Sequence, residues 1–115
     1  MKLPRSVREA DVGGKVVLVT FLDAQCTDAC PIVAGELARG VDALTEEERA
    51  RVIAVGISTD PLEDTPSAVA AFLARHRASG RVRYLTAPQS EMEAVWDAFK
   101  ILPTARTGDD SLHSV

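Results

Sequence analysis

Cys26 and Cys30 are the only two cysteines in the chain, and they stand in the segment Cys26-Thr27-Asp28-Ala29-Cys30-Pro31. An apolar run that reads as a strand precedes them and a helical pattern follows, so both sulfurs fall at the mouth of a helix. Unpaired backbone N–H groups and the positive end of the helix dipole favour a thiolate there. They lower a cysteine pKa from about 8.5 by one to several units. The thiolate is the form that binds soft metal ions and attacks disulfides. Three intervening residues set the sulfurs one helical turn apart on one face, unlike the two-residue gap of the C-x-x-C redox signature. Two thiolates so placed can grip one metal ion or close into a disulfide; the plainer reading is a pair of small buried hydrophobes. Pro31 weighs against the plainer reading, because proline suits the first helical turn and fixes Cys30 at the helix mouth.

The elements that position this pair are legible from periodicity. Lys15 to Leu22 is a continuous apolar, β-branched run behind Gly13-Gly14, which predicts a buried central strand. Beyond Pro31, Val33, Leu37, Val41 and Leu44 recur at helical spacing. Thr45 to Glu48 has capping-box form, and its acidic run reads as solvated surface. Arg51 to Ser58 is a second buried strand that ends at the turn Thr59-Asp60-Pro61. Asp64-Thr65-Pro66 marks a cap with proline at the first helical position, and Val69, Phe72, Leu73 and His76 share one stripe of the helix that follows. A histidine at the edge of such a stripe is read as packed or half-exposed. Arg83 to Thr86 predicts a short third strand. Ser90 to Glu93 predicts another capping box, opening a helix that buries Met92, Val95, Trp96 and Phe99. Lys100 to Ser111 reads as a loop that delivers His113. The alternation β-α-β-α-β-α predicts a mainly parallel sheet covered by helices, with the dithiol beyond the C-terminal end of its strand.

The 115 residues are read as a single domain, and the formal charge of −4 argues against a nucleic-acid partner, which would require a basic face. Ten Arg against three Lys is read as coding bias. The longest apolar run falls far short of the roughly 20 residues that span a bilayer, so neither a signal peptide nor an anchor is expected in this chain. One close pair of cysteines does not fix the compartment.

Taken in order, these motifs resemble the SCO/SenC family of thioredoxin-fold copper proteins. The resemblance rests on Gly14-Lys15-Val16-Val17-Leu18-Val19-Thr20-Phe21, on Cys26-x-x-x-Cys30-Pro31, on Ser58-Thr59-Asp60-Pro61-x-x-Asp64-Thr65-Pro66, and on His113-Ser114. It runs from about Leu3 onward and implies an α/β, thioredoxin-like domain over residues 1–115. In that family two cysteines and a distal histidine bind one copper ion, and the matching positions are Cys26, Cys30 and His113. Two soft thiolates and one imidazole suit Cu(I) and can also hold Cu(II), whereas structural zinc would want a fourth protein ligand that no other cysteine supplies. Asp28, Asp60, Asp109 or Asp110 could add an oxygen, although each is first read as a turn, cap or solvated residue. The family usually begins with a β-hairpin behind a membrane anchor and continues past the histidine into two strands and a terminal helix. Here the first part is reduced and the last is absent. An uncovered strand edge at Val16–Leu22 and an uncovered helix face are therefore expected, in a fragment or in a chain completed by another.

The resemblance implies a copper-binding metallochaperone for the copper centre of a respiratory haem-copper oxidase. Its partner would be the copper-bearing oxidase subunit and its location extracytoplasmic, periplasmic or on the outer face of the membrane, reached only through a segment absent from this chain. A thiol-disulfide oxidoreductase on the same fold, in which Cys26 attacks and Cys30 resolves, is the alternative; it parts from copper binding at His113, which disulfide exchange does not require. A peroxidase using Cys26 would need polar groups around the thiol that nothing nearby in sequence marks. The last alternative is an inactive fragment with oxidised cysteines and an untethered His113.

Overall fold

β-Branched runs that alternate with amphipathic segments produce, in this protein, strands and helices in strict alternation. The computed structural model describes residues 13–26 and 29–103, and Asp28, Asp109, Asp110 and His113 lie outside them. The elements are β1 (Val16–Leu22), α1 (Ala29–Ala43), α2 (Glu46–Arg49), β2 (Val52–Ser58), α3 (Pro66–Arg75), β3 (Val82–Leu85) and α4 (Gln89–Phe99). The strands form one three-stranded sheet in the order β1-β2-β3. Both pairings are parallel, with Phe21 opposite Ile57 and Gly56 opposite Tyr84. Parallel neighbours require crossovers long enough to hold a helix, and α1 and α3 supply them.

Side-chain alternation along the strands sorts the core into two layers. On one face Leu22, Ala54, Val82 and Tyr84 pack against Cys30, Ala34, Ala38 and Val41 of α1 and against Val69, Phe72 and Leu73 of α3. On the other, Phe21, Ile53, Val55, Ile57 and Leu85 meet Met92 and Trp96 of α4. The Trp96 indole N–H donates to the Ser58 carbonyl at 2.9 Å, which satisfies a polar group in an otherwise apolar layer.

Helix termini follow local chemistry in two cases and depart from it in one. Thr45 and Glu48 exchange backbone N–H bonds in a capping box at the start of α2. Thr65 caps α3, its hydroxyl accepting from Ala68 N–H, with Pro66 in the first turn. The box expected at Ser90 does not form. The chain has already turned at Pro88, whose carbonyl accepts from Glu91 and Met92, so α4 begins before Ser90 can cap it.

Three further expectations are corrected. β1 lies at the sheet edge among the described residues, not at its centre, and Val16 is 58% exposed with Val17, Leu18 and Val19 also open. A continuous apolar run does not distinguish a central strand from an edge, but the uncovered edge agrees with the expectation drawn from the family pattern. The buried stripe of α1 runs through Cys30, Ala34, Ala38 and Val41, while Val33, Leu37 and Leu44 are half-buried. Small alanines let the helix approach the sheet, and the larger side chains rim a groove of about 420 Å³ beside Val16 and Leu18. Phe99 is 53% exposed; it ends the last turn before Lys100, which adopts a left-handed conformation, and its ring meets Phe21 edge-on at 5.3 Å.

Candidate metal and redox site

All three strands run the same way, so the segments that leave their C-terminal ends gather at one edge of the sheet, where open α/β sheets place their sites. The turn Asp23–Cys26 leaves β1. Its backbone closes through Cys26 N–H donating to the Asp23 carbonyl at 3.0 Å, and the Asp23 Oδ1 accepts from Gln25 N–H at 2.8 Å. That second bond is an Asx-type contact, in which a short acidic side chain substitutes for backbone in a turn. Cys26 therefore sits in the turn and Cys30 in the first turn of α1, so the two do not face each other as neighbours along one helix. They meet nonetheless: the Cys30 thiol shares a hydrogen bond with Cys26 and takes another from the Asp23 backbone N–H. Neither cysteine is in a disulfide, and Cys26 is 4% and Cys30 0% exposed.

Burial reverses the expected acidity of Cys30. Desolvation pushes its thiol well above the ordinary cysteine range, and the neighbouring Cys26 and Asp23 push the same way, against a single opposing backbone bond. The dipole of a helix mouth is outweighed where no water reaches the sulfur. Burial thus favours the protonated thiol of Cys30 in the metal-free, reduced protein.

The loop after β2 is fastened to the turn after β1. Thr59 N–H donates to the Leu22 carbonyl at 2.9 Å. Asp64, which the sequence marks as part of a cap, is instead a buried carboxylate, 2% exposed. Its Oδ1 accepts from Ala24 N–H at 3.1 Å, and its Oδ2 accepts from the Ser58 hydroxyl at 2.8 Å and from the Tyr84 hydroxyl at 2.6 Å. Burial raises the Asp64 carboxyl to about 6 even against these three bonds. Desolvation, and then the charge of Asp23, also raises the half-exposed Asp60, whose backbone N–H donates to the Ser58 hydroxyl at 3.1 Å.

Asp23 was not marked by the sequence. Its side chain is 1% exposed, and its Oδ2 has no partner. An acidic residue directly after an apolar strand that precedes a reactive turn is the signal that would have found it. Among the described residues no group of three or more histidine, cysteine or acidic side chains converges as a metal site, Asp60 included. The described part of the expected site is the dithiol alone, and His113, expected as a third ligand, lies outside the described residues. His76 ends α3 with its ring edge-on to Phe72 at 4.9 Å, in keeping with a packing role.

Residues 4–114 match the SCO1/SenC family model. No curated protein sequence matches significantly. Several solved structures share the fold. Arabidopsis thaliana ScoI with copper bound is 27% identical with a TM-score of 0.69, over 84% of this chain and 58% of that one. BsSco, described as a cytochrome c oxidase assembly protein of the Sco family with a disulfide switch, is 29% identical with a TM-score of 0.63, over 82% and 56% of the two chains. A SCO1/SenC family lipoprotein from Bacillus anthracis is 26% identical with a TM-score of 0.64, over 81% and 56%. The chain thus spans less than two thirds of the length of these relatives. No helix among the described residues is long and apolar enough to cross a membrane.

Proposed function

The chain belongs to the SCO1/SenC family, and on that premise we propose that it is a copper-binding assembly factor in which Cys26 and Cys30 hold the metal and His113 completes the site. The observation that carries the reading is the contact between two buried, reduced thiols at the C-terminal edge of the sheet. Two adjacent soft sulfurs fit a copper ion, and the copper-bound structure of a family member supports it. When bound, copper would draw the thiol protons off and accept sulfur as thiolate. The chain's own part is positional: the Asp23 backbone sets Cys26 and Cys30 against each other, and the apolar layer behind them excludes water.

The recipient of the copper is proposed to be the copper-bearing subunit of a haem-copper respiratory oxidase, as the description of one relative as an oxidase assembly protein supports. An extracytoplasmic position is supported by the lipoprotein relative. A second reading, disulfide exchange through Cys26 and Cys30, is favoured by the same thiol-thiol contact and by the disulfide switch described for one relative.

Copper titration of reduced protein separates the two. One copper ion per chain is expected, with tight binding abolished in Cys26→Ser and Cys30→Ser, since a hard hydroxyl substitutes poorly for a soft thiolate. His113→Ala should weaken copper binding and leave disulfide formation intact. Equal copper affinity in wild type and His113→Ala would favour the oxidoreductase reading.

A further inference from the structure

Both thiols are buried, and the Asp23–Cys26 turn is the segment that seats the first of them beside the second. One side chain from another loop holds that turn. The Asp64 carboxyl group accepts from Ala24 N–H, two residues before Cys26, and is itself anchored by Ser58 at the end of β2 and Tyr84 on β3. A weaker tie runs beside it, from the Gln25 side-chain amide to the Glu63 carbonyl at 3.5 Å. We propose that Asp64 is a latch on the dithiol, a positioning residue whose carboxyl group holds the turn that carries Cys26 closed and thereby governs access to both thiols. The inference rests on reading Cys26 and Cys30 as the working site.

The environment of Asp64 makes the latch responsive to acidity. The groups electrostatically coupled to it or to its anchor are the Tyr84 hydroxyl from β3, Asp23 from the turn after β1, and, through Tyr84, Cys30 from α1; Ser58 ends β2 and Asp60 stands in the segment after it. None of these is a cation, and the burial that lifts Asp64 to about 6 is not offset by an opposite charge. In an opened turn the carboxyl would be hydrated and return toward its ordinary 3.8. The proton is therefore bound more tightly when the turn is closed. By linkage, the closed arrangement is favoured fully at low pH and loses that advantage as pH rises through about 6. Ionised Asp64 loosens the latch, while neutral Asp64 tightens it.

This sign separates a latch from mere structural support, because removing the charge should slow access. The test follows the rate at which a pyridyl disulfide modifies the thiols of reduced, metal-free protein between pH 4.5 and 8.5, wild type against Asp64→Asn. Dividing the two rates cancels the thiols' own ionisation. The wild-type rate should come within several-fold of the variant's at the acid end and exceed it by roughly a hundredfold at neutral pH. Tyr84→Phe removes a donor to the charged form and should move the midpoint of that rise upward. A ratio that does not vary with pH, or Asp64→Asn reacting faster throughout, overturns the proposal. Should Asp64→Asn not fold, the Ala24 amide proton shift in wild type decides: a step near pH 6 that moves upward in Tyr84→Phe supports the latch, and its absence overturns it. Neither measurement uses copper. A protein that bound no copper would overturn the copper reading alone, and a copper-binding protein with a flat rate ratio would overturn the latch alone.

Discussion

A methyl group added at Gly56 would lie 2.5 Å from Leu22 Cδ1, so the central strand is glycine where the last residue of β1 folds over it. Leu22 is fully buried and is the final strand residue before the turn that carries Cys26. The close approach thus seats the end of β1 and, through it, the start of the site.

Gly56→Ala should destabilise the protein by about 1–3 kcal/mol, the usual cost of overpacking a filled core. Urea midpoints measure it. Leu22→Ala introduced with Gly56→Ala should cost less than the sum of the two single changes, because each relieves the other. Strict additivity would mean that the sheet absorbs the methyl group elsewhere.

Trp96→Phe leaves the Ser58 carbonyl without its buried donor. A loss of roughly 1–3 kcal/mol is expected from the unpaired acceptor, with a further contribution from the smaller ring. Calorimetry at neutral pH should show the fall in the unfolding temperature.

Stability should decline across mildly acid pH toward neutrality. Asp64 is raised from 3.8 to about 6 in the folded state, so its stabilising contribution is present below pH 4 and lost as pH rises through 6. Asp60 is raised as well and adds in the same direction. Linkage gives on the order of 3 kcal/mol for Asp64 over that window, before opposing carboxylates are counted. Urea midpoints from pH 4 to 8 should show this slope reduced in Asp64→Asn. An unchanged slope would locate the proton uptake elsewhere.

Cys30, with its thiol pushed up by burial, should react slowly with iodoacetamide at pH 7.5 in the reduced, metal-free protein. Peptide mapping after timed quenching, with a denatured control, reports it. Modification of native Cys30 at the denatured rate would contradict its burial.

Much of this architecture was legible in the residues. β-Branched runs and helical spacing identified the alternation of strands and helices, and the dithiol fell where strand directions place a site. What escaped was decided by packing. Nothing local marks β1 as an edge strand, because an apolar run reads alike with one neighbour or two. The seam of α1 passes through alanines, since close approach to the sheet matters more there than side-chain size. Asp64 read as part of a cap because its sequence neighbours are Thr65 and Pro66; only the fold brings Tyr84 and Ala24 to its carboxylate. The same desolvation defeated the expected acidity of Cys30, as burial depth is not written in the spacing of two cysteines.

The unequal burial of β1 sets a gradient of local opening along a single strand. Val16 to Val19 are open to solvent, while Thr20 to Leu22 are enclosed. Backbone exchange should be fast near Lys15 and slow near Leu22, so the strand can fray from its outer end while the end that bears the dithiol turn stays paired with β2. Breathing at the apolar edge and motion at the thiols are then separate events, and the protein can tolerate the first without triggering the second.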